Sequence, residues 1–310
     1  MKRKVLLIIN PCAGRKKSMG GTFDIVDKFS GEGFEFNVKT TTGAGDATNI
    51  VKNYYDENDM IVCCGGDGTL NEVINGIMSL QKRLPVGYIP TGSTNDLAET
   101  IGIPTNIKKA TELIIEGHTN SLDVGLFNNR YFCYVASFGA GTAISYTTTQ
   151  KMKNLIGHSA YYLNGFVLKL IPQLKNLKPV HMKIEYDEGT IEDDFYFGAI
   201  SNSTSVAGLF KFDKADVKLD DGKFEILLVR GLKNKAEAFE LLRKVRNREY
   251  DGKQILFLKT ERARITSEEG VPWTLDGEFG GKPKEVRFAV ISKAIDICSP
   301  KSSVFIGEKK

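Results

Sequence analysis

The sequence predicts an α/β domain followed by a β-rich domain. Three observations carry this prediction. Up to about residue 130, short apolar runs alternate with segments of helical periodicity. Beyond that point the pattern turns to short strands separated by turn residues. At the centre of the first half, a glycine-rich loop joins an apolar run to an amphipathic helix.

In the first half, Val5–Ile9, Phe34–Thr40, Met60–Cys64 and Val86–Ile89 are apolar runs of strand length. Between them, segments near 20–30, 46–57 and 69–80 carry apolar residues at helical spacing. Leu70, Val73, Ile74, Ile77 and Met78 form one stripe at i, i+3, i+4, i+7 and i+8. Strand and helix in alternation predict a parallel sheet covered on both faces. In the second half, Tyr131–Ser137, His181–Tyr186, Asp194–Ile200, Phe224–Val229, Ile255–Lys259 and Arg262–Thr266 are expected as strands. Asp187-Glu188-Gly189 and Asp220-Asp221-Gly222 supply turns. Helices are expected at about 146–171 and 235–247. No internal repeat or low-complexity linker intervenes, so the two domains should pack closely.

The 310 residues carry a formal charge of +4, with 41% hydrophobic and 26% charged residues. That is an ordinary globular balance and argues against a nucleic-acid partner, which would call for clustered Lys and Arg. Five cysteines without CxxC spacing point to thiols in a reducing compartment. The basic start, Met1-Lys2-Arg3-Lys4, precedes an apolar run of only five residues, Val5–Ile9. This is too short for a signal peptide, and no later run reaches the length of a membrane span.

The strongest motif is Gly65-Gly66-Asp67-Gly68-Thr69-Leu70-Asn71-Glu72, between a strand and a helix. Thr69 and Glu72 have capping-box spacing, which predicts a helix start there. Glycines let a phosphate approach the backbone, and the helix terminus favours its charge. A plain capped turn would account for Thr69 but not for three glycines around an aspartate. Asp67 beside a phosphate would be repulsive unless it handles a proton or a metal. A second loop, Pro90-Thr91-Gly92-Ser93-Thr94-Asn95-Asp96, follows the next strand and would face the same crevice. Asn10-Pro11-Cys12-Ala13-Gly14 with Arg15, Lys16 and Lys17 ends the first strand; by itself it is an ordinary basic turn. Trp273-Thr274-Leu275-Asp276-Gly277-Glu278 is surface hairpin chemistry unless the fold returns it to the crevice. GxxxxGK[ST], GxGxxG, HRD, DFG and GxSxG are absent, and His118, His158 and His181 have no metal-ligand spacing.

Together these residues resemble the diacylglycerol kinase catalytic-domain family, which includes bacterial soluble lipid kinases and sphingosine kinases. Gly65–Val73 matches its GGDGT-x-N-E-V signature. Asn10–Gly14, Pro90–Asp96, Leu122–Gly125 and Leu275–Glu278 resemble its other elements. The resemblance implies an NAD-kinase-like α/β nucleotide-binding domain over 1–128, completed by 290–310, and an antiparallel β-sandwich over 129–289. It implies ATP at Asn10, Thr40 or Thr41, Gly65, Gly66, Asp67, Gly68, Thr69, Asn71, Glu72, Thr91, Gly92, Ser93, Thr94 and Asn95. Asp67 would work with Mg2+. Glu278, with Asp276 beside it, would be the base. Asp221 with the carbonyls of Lys218 and Lys223 would hold a structural Mg2+, which Asp123 links to the active site. Departures from the pattern are Ser93 for threonine, Asp46 for a common histidine, and no acid in Phe138–Ala143; the last two bear on the acceptor.

The expected activity is therefore transfer of phosphate from ATP to the hydroxyl of a diacylglycerol-like lipid. Phosphorylation of NAD or another soluble acceptor, and a silent nucleotide-binding regulator, are the alternatives. The implied partner is lipid at the inner membrane face, reached from the cytoplasm; a homodimer is compatible. Two basic groups are candidates for docking on anionic lipid: Lys151, Lys153, Lys169, Lys175 and Lys178, and Arg243, Lys244, Arg246 and Arg248.

Overall fold

Four apolar runs build a parallel sheet: β1 (Lys4–Ile9), β2 (Glu35–Thr40), β3 (Met60–Gly65) and β4 (Val86–Pro90), in the order β2, β1, β3, β4. The computed structural model describes residues 3–139, 178–206, 210–213, 215–231, 235–250, 252–301 and 304–306. β3 and β4 are buried throughout, which is why they lack alternation; edge strand β2 is only partly covered. The connections are α1 (Lys17–Gly31), α2 (Asp46–Tyr54), α3 (Asp67–Met78), α4 (Asp96–Ile101) and α5 (Ile107–Glu116). The predicted stripe on α3 is buried in full. The sequence reading passes over α5, although Asn106 caps it (Lys109 N donates to Oδ1 at 3.1 Å) and Gly117 ends it at φ 74°.

The strand-rich half follows with β5 (Thr119–Phe127), β6 (Arg130–Phe132), β7 (Val135–Gly139), β8 (Val180–Tyr186) and β9 (Gly189–Ser201). Then come β10 (Ser205–Val206), β11 (Phe210–Lys211), β12 (Phe224–Arg230), α6 (Lys235–Asn247), β13 (Ile255–Thr260) and β14 (Arg262–Thr266). β15 (Trp273–Leu275), β16 (Glu278–Gly281) and β17 (Glu285–Cys298) complete it. Its ladders are antiparallel, running β16, β15, β7, β9, β8, β14, β17. A second core of Phe127, Phe132, Phe138, Phe195, Phe224, Trp273 and Phe288 fills this half. The expected strand Tyr131–Ser137 is two strands, broken at Cys133 and Tyr134. The helix expected at about 146–171 lies outside the described residues.

One strand joins the halves. The fourteen residues of β17 pair with β14 and β5, slip register between Ile291 and Ile295, and end parallel to β4 at Ile297↔Val86. At the slip, buried Asp123 accepts from Lys293 N at 2.6 Å and, through its other oxygen, from Gly222 N at 2.6 Å. This bulge turns one strand from the antiparallel ladders into the parallel sheet. All five cysteines are free thiols. Among the described residues, no helix is long and apolar enough to cross a membrane.

Ile297 is fully buried where β4, β5 and β17 meet. Ile297→Ala should therefore cost about 2–5 kcal/mol. Trp273 fluorescence and far-UV circular dichroism should fall in one transition, because the strand belongs to both halves. Separate transitions, or an unchanged midpoint, would show that β17 does not couple them.

Candidate active site

The two glycine loops touch at the C-terminal ends of β3 and β4. Thr91 N donates to Gly65 O at 2.8 Å. A Cβ on Gly92 would stand 2.6 Å from Gly66 Cα, so only glycine allows the backbones to pass so closely. Asn95, at φ 55°, closes its own loop by donating from Nδ2 to Gly92 O at 3.1 Å.

The predicted capping box does not form. α3 begins three residues earlier than the box requires, with Gly66 at its N-cap and no side-chain cap. Thr69 Oγ1 instead accepts from Asn10 Nδ2 at 2.9 Å, tying the end of β1 to the loop. Glu72 caps a different helix. Its oxygens accept from Gly45 N at 2.7 Å and Ala47 N at 3.1 Å, at the start of α2. Because α2 packs against α3, one carboxylate fixes the loop 42–47 on the rim of the cleft.

Asp67 opens α3. Its Oδ2 accepts from Asp96 N at 3.2 Å, while Oδ1 is buried without a partner among the described residues. Burial raises its pKa against the Asp96 backbone donor, and the charge of Asp276 adds to the rise. Asp96 faces the same space; burial, then Asp67, Glu99 and Asp276, push its carboxyl up to about 7.

The late hairpin does return to the crevice. Asp276 (φ 48°) and Gly277 (φ 89°) make the two-residue turn between β15 and β16, with both φ angles positive as a type I′ turn requires. Asp276 is buried and points inward. Oδ1 accepts from Tyr134 N (2.9 Å) and Val135 N (2.8 Å); Oδ2 accepts from Cys133 N (2.9 Å) and Asn71 Nδ2 (2.6 Å). Burial raises its pKa while these four donors pull the other way. Glu278, two residues on, is exposed and crosses to α3: a Cβ on Gly68 would lie 3.4 Å from its Oε1.

A cleft of about 1210 Å³ runs between the halves. Asn10, Thr41, Gly66 to Thr69, Asn71, Glu72, Gly92 to Thr94, Asp276 and Glu278 line it. Gly65, Thr91 and Asn95 stand behind that wall, and Thr40 is exposed on edge strand β2. The side chains of Arg15, Lys16 and Lys17 lie outside the described set. Asp96, Arg130 and Tyr134 also line the cleft and are not among the predicted site residues. Asp96 ends a motif already singled out, so its signal was present. Arg130, which donates to Phe279 O at 2.6 Å, and Tyr134 carry no sequence signal because only tertiary pairing brings them here.

The other predicted carboxylates meet elsewhere. Asp221 Oδ1 accepts from Lys223 N at 2.9 Å in the turn after Lys218, and both oxygens of Asp123 are held by backbone donors. Asp123 thus braces this turn from below. Among the described residues, no group of three or more Asp, Glu, His or Cys is arranged to hold a metal. The docking cations fare unevenly. Lys151, Lys153, Lys169 and Lys175 lie outside the described residues, as does the Arg246 side chain. Lys244 is buried and pairs with Glu240 at 2.7 Å, and Arg243 pairs with Glu249 at 3.0 Å. The α6 cluster therefore does not offer four unpaired charges.

The folded chain holds the Asp96 proton up to about pH 7, whereas the unfolded chain releases it near 3.8, the ordinary aspartate value. Stability from this group is full below the lower value and lost as pH rises through the higher one. Asp96→Asn should thus melt progressively higher than the parent between about pH 4 and about pH 8, without divalent cations. A melting difference that stays constant with pH would contradict the carboxylate cluster.

The geometry can be set beside known proteins. The diacylglycerol kinase catalytic domain family matches residues 4–127. A diacylglycerol kinase of Staphylococcus carnosus is 34% identical over 303 residues, 97% of this chain and 96% of that protein. One of Staphylococcus aureus is 34% identical over 306 residues, 98% and 95%. A Bacillus anthracis protein solved as a candidate diacylglycerol kinase superposes with a TM-score of 0.81 at 26% identity, covering 96% and 95%. It shares the α/β half followed by antiparallel strands. With both glycine loops, the late hairpin and the full-length similarity in agreement, the chain belongs to the diacylglycerol kinase family.

Proposed function

We propose that the protein is an ATP-dependent lipid kinase that transfers the γ-phosphoryl group to the hydroxyl of a diacylglycerol-like lipid. The observation that carries this reading is the carboxylate of Glu278 above Gly68, in the same cleft that Asp67, with its unpartnered Oδ1, lines. Residues 1–128 with 290–310 form the ATP-binding unit, and 129–289 the acceptor unit.

Phosphoryl transfer depends on positioning and charge stabilisation. The backbone N–H groups at the start of α3 and the Gly92–Thr94 loop receive the phosphates, where the helix terminus favours negative charge. Asn10 and Thr41 border the same side of the cleft. A buried carboxylate oxygen without a donor fits a hard cation, so Asp67 is the residue that would hold magnesium. Bound there, magnesium would neutralise charge on the phosphate oxygens. Glu278 accepts the hydroxyl proton as the lipid oxygen attacks the γ-phosphorus and ADP departs. Asp276, its oxygens occupied by four N–H donors, positions the hairpin. Asp221 in its half-buried turn, with the carbonyls of Lys218 and Lys223, remains the candidate for a structural magnesium, braced by Asp123.

The acceptor side supports a lipid. Phe279 is 54% exposed beside Glu278, and Val135, Phe197 and Val206 line the same cleft. An apolar wall next to the base suits acyl glycerol better than a dinucleotide. Docking at a membrane follows from the substrate.

Labelled ATP should phosphorylate diacylglycerol in detergent micelles and leave NAD unlabelled. Asp67→Ala should abolish transfer while leaving the melting temperature close to the parent's. Labelling of NAD instead would replace the acceptor assignment. Near-normal turnover in Asp67→Ala would remove the loop from the chemistry.

A further inference from the structure

The strand-rich half contains a cluster of buried polar side chains that phosphoryl transfer does not use. β12 alternates across its sheet: Phe224, Ile226 and Leu228 enter the second core, while Leu227 and Val229 face the first. Glu225 shares the latter face and is 0% exposed. Neither of its carboxyl oxygens has a partner among the described residues. Its ladder neighbour on β9 is Ser201, whose buried Oγ is equally unpartnered. The next residue, Asn202, is also fully buried; it donates to Asp123 O (3.2 Å) and Leu219 O (3.3 Å). That leaves its Oδ1 without a donor. Lys259, the neighbour of Glu225 on β13, forms no ion pair with it among the described residues.

Unpartnered buried oxygens are strongly unfavourable, and three side chains of this kind at the β9–β12 ladder call for a common occupant. Every orphaned atom is an oxygen, and one side chain is a carboxylate. This is the donor chemistry of a hard divalent cation that retains some of its waters, and it lacks the nitrogen and sulfur that would favour zinc. Side chains facing each other across an antiparallel ladder have Cβ atoms about 4.5–5.5 Å apart, which lets one ion reach both Ser201 and Glu225.

We propose that Glu225, Ser201 and Asn202 form a buried oxygen-lined site for a hard divalent cation, on the sheet side of the turn 218–223. Such an ion fastens β9 and β12 to the turn that Asp123 braces. It requires neither nucleotide nor lipid, so it stands apart from the kinase reading.

The test is Mn2+ binding to the full chain, followed by the free-ion paramagnetic resonance signal without nucleotide. An Asp67→Asn background removes the cleft as a competing site. In that background the chain should bind Mn2+, and Glu225→Gln, a neutral isostere, should weaken binding at least about tenfold. Mn2+ should raise the melting temperature of the background protein but not of the Glu225→Gln variant. Ser201→Ala, the milder second variant, should weaken binding in the same direction. Asp221→Asn separates the neighbours: Mn2+ binding that survives it yet depends on Glu225 belongs to the buried cluster. Loss in both variants means that one ion bridges Glu225 and the turn, which retains Glu225 as a ligand. Absence of Mn2+ binding, or unchanged binding by Glu225→Gln, overturns the proposal and leaves only water as the occupant.

Discussion

The active cleft depends on one buried carboxylate. Asp276 accepts hydrogen bonds from three consecutive backbone N–H groups at 133–135 and from Asn71 on α3. These donors come from both halves of the molecule, so a single side chain fixes the late hairpin to β7 and to the glycine-loop helix. The bonds are to a charged acceptor, the stronger class of hydrogen bond, and they offset the cost of burying it. They also hold a non-glycine residue at φ 48°, a conformation that costs about 1–3 kcal/mol where nothing over-determines it. The result is a rigid turn that leaves Glu278 no choice but to face α3.

A second constraint brings the hairpin within range. β17 runs from the antiparallel ladders into the parallel sheet, and Asp123 holds its bulge against the turn at Gly222. One continuous sheet thus runs through both halves that border the cleft. On the opposite wall, the approach of Gly66 to Gly92 brings the two glycine loops into contact. Glu72 extends that wall by capping α2.

Much of this was legible in the sequence, for identifiable reasons. β1, β3 and β4 are runs of apolar residues buried on both faces, and α3 has one clean stripe, so local pattern and tertiary burial agree. The glycine loops were legible because three glycines around an aspartate exceed what a plain capped turn needs; the close passage of Gly66 and Gly92, which also requires glycine, was not legible because it joins two distant segments. Glu72 was misassigned because capping-box spacing describes one helix, whereas the carboxylate serves its neighbour. Asp276 looked like half of an exposed acidic pair; only the ladder between β15 and β7 shows that it faces inward. β17 escaped notice because its bulge breaks the alternation that marks a strand. Arg130 and Tyr134 reach the cleft through pairing between distant segments, which no local pattern encodes.

The proposed chemistry rests on Glu278 as the group that takes the acceptor's proton, with Asp276 as the residue that puts it there. The most direct measurement is single-turnover transfer from labelled ATP to diacylglycerol in mixed micelles by Glu278→Gln, alongside nucleotide binding at equilibrium. Loss of a positioned base costs about a hundred- to ten-thousand-fold, so transfer should fall by that factor while ATP affinity is unchanged. Transfer within a few-fold of the parent would contradict the assignment.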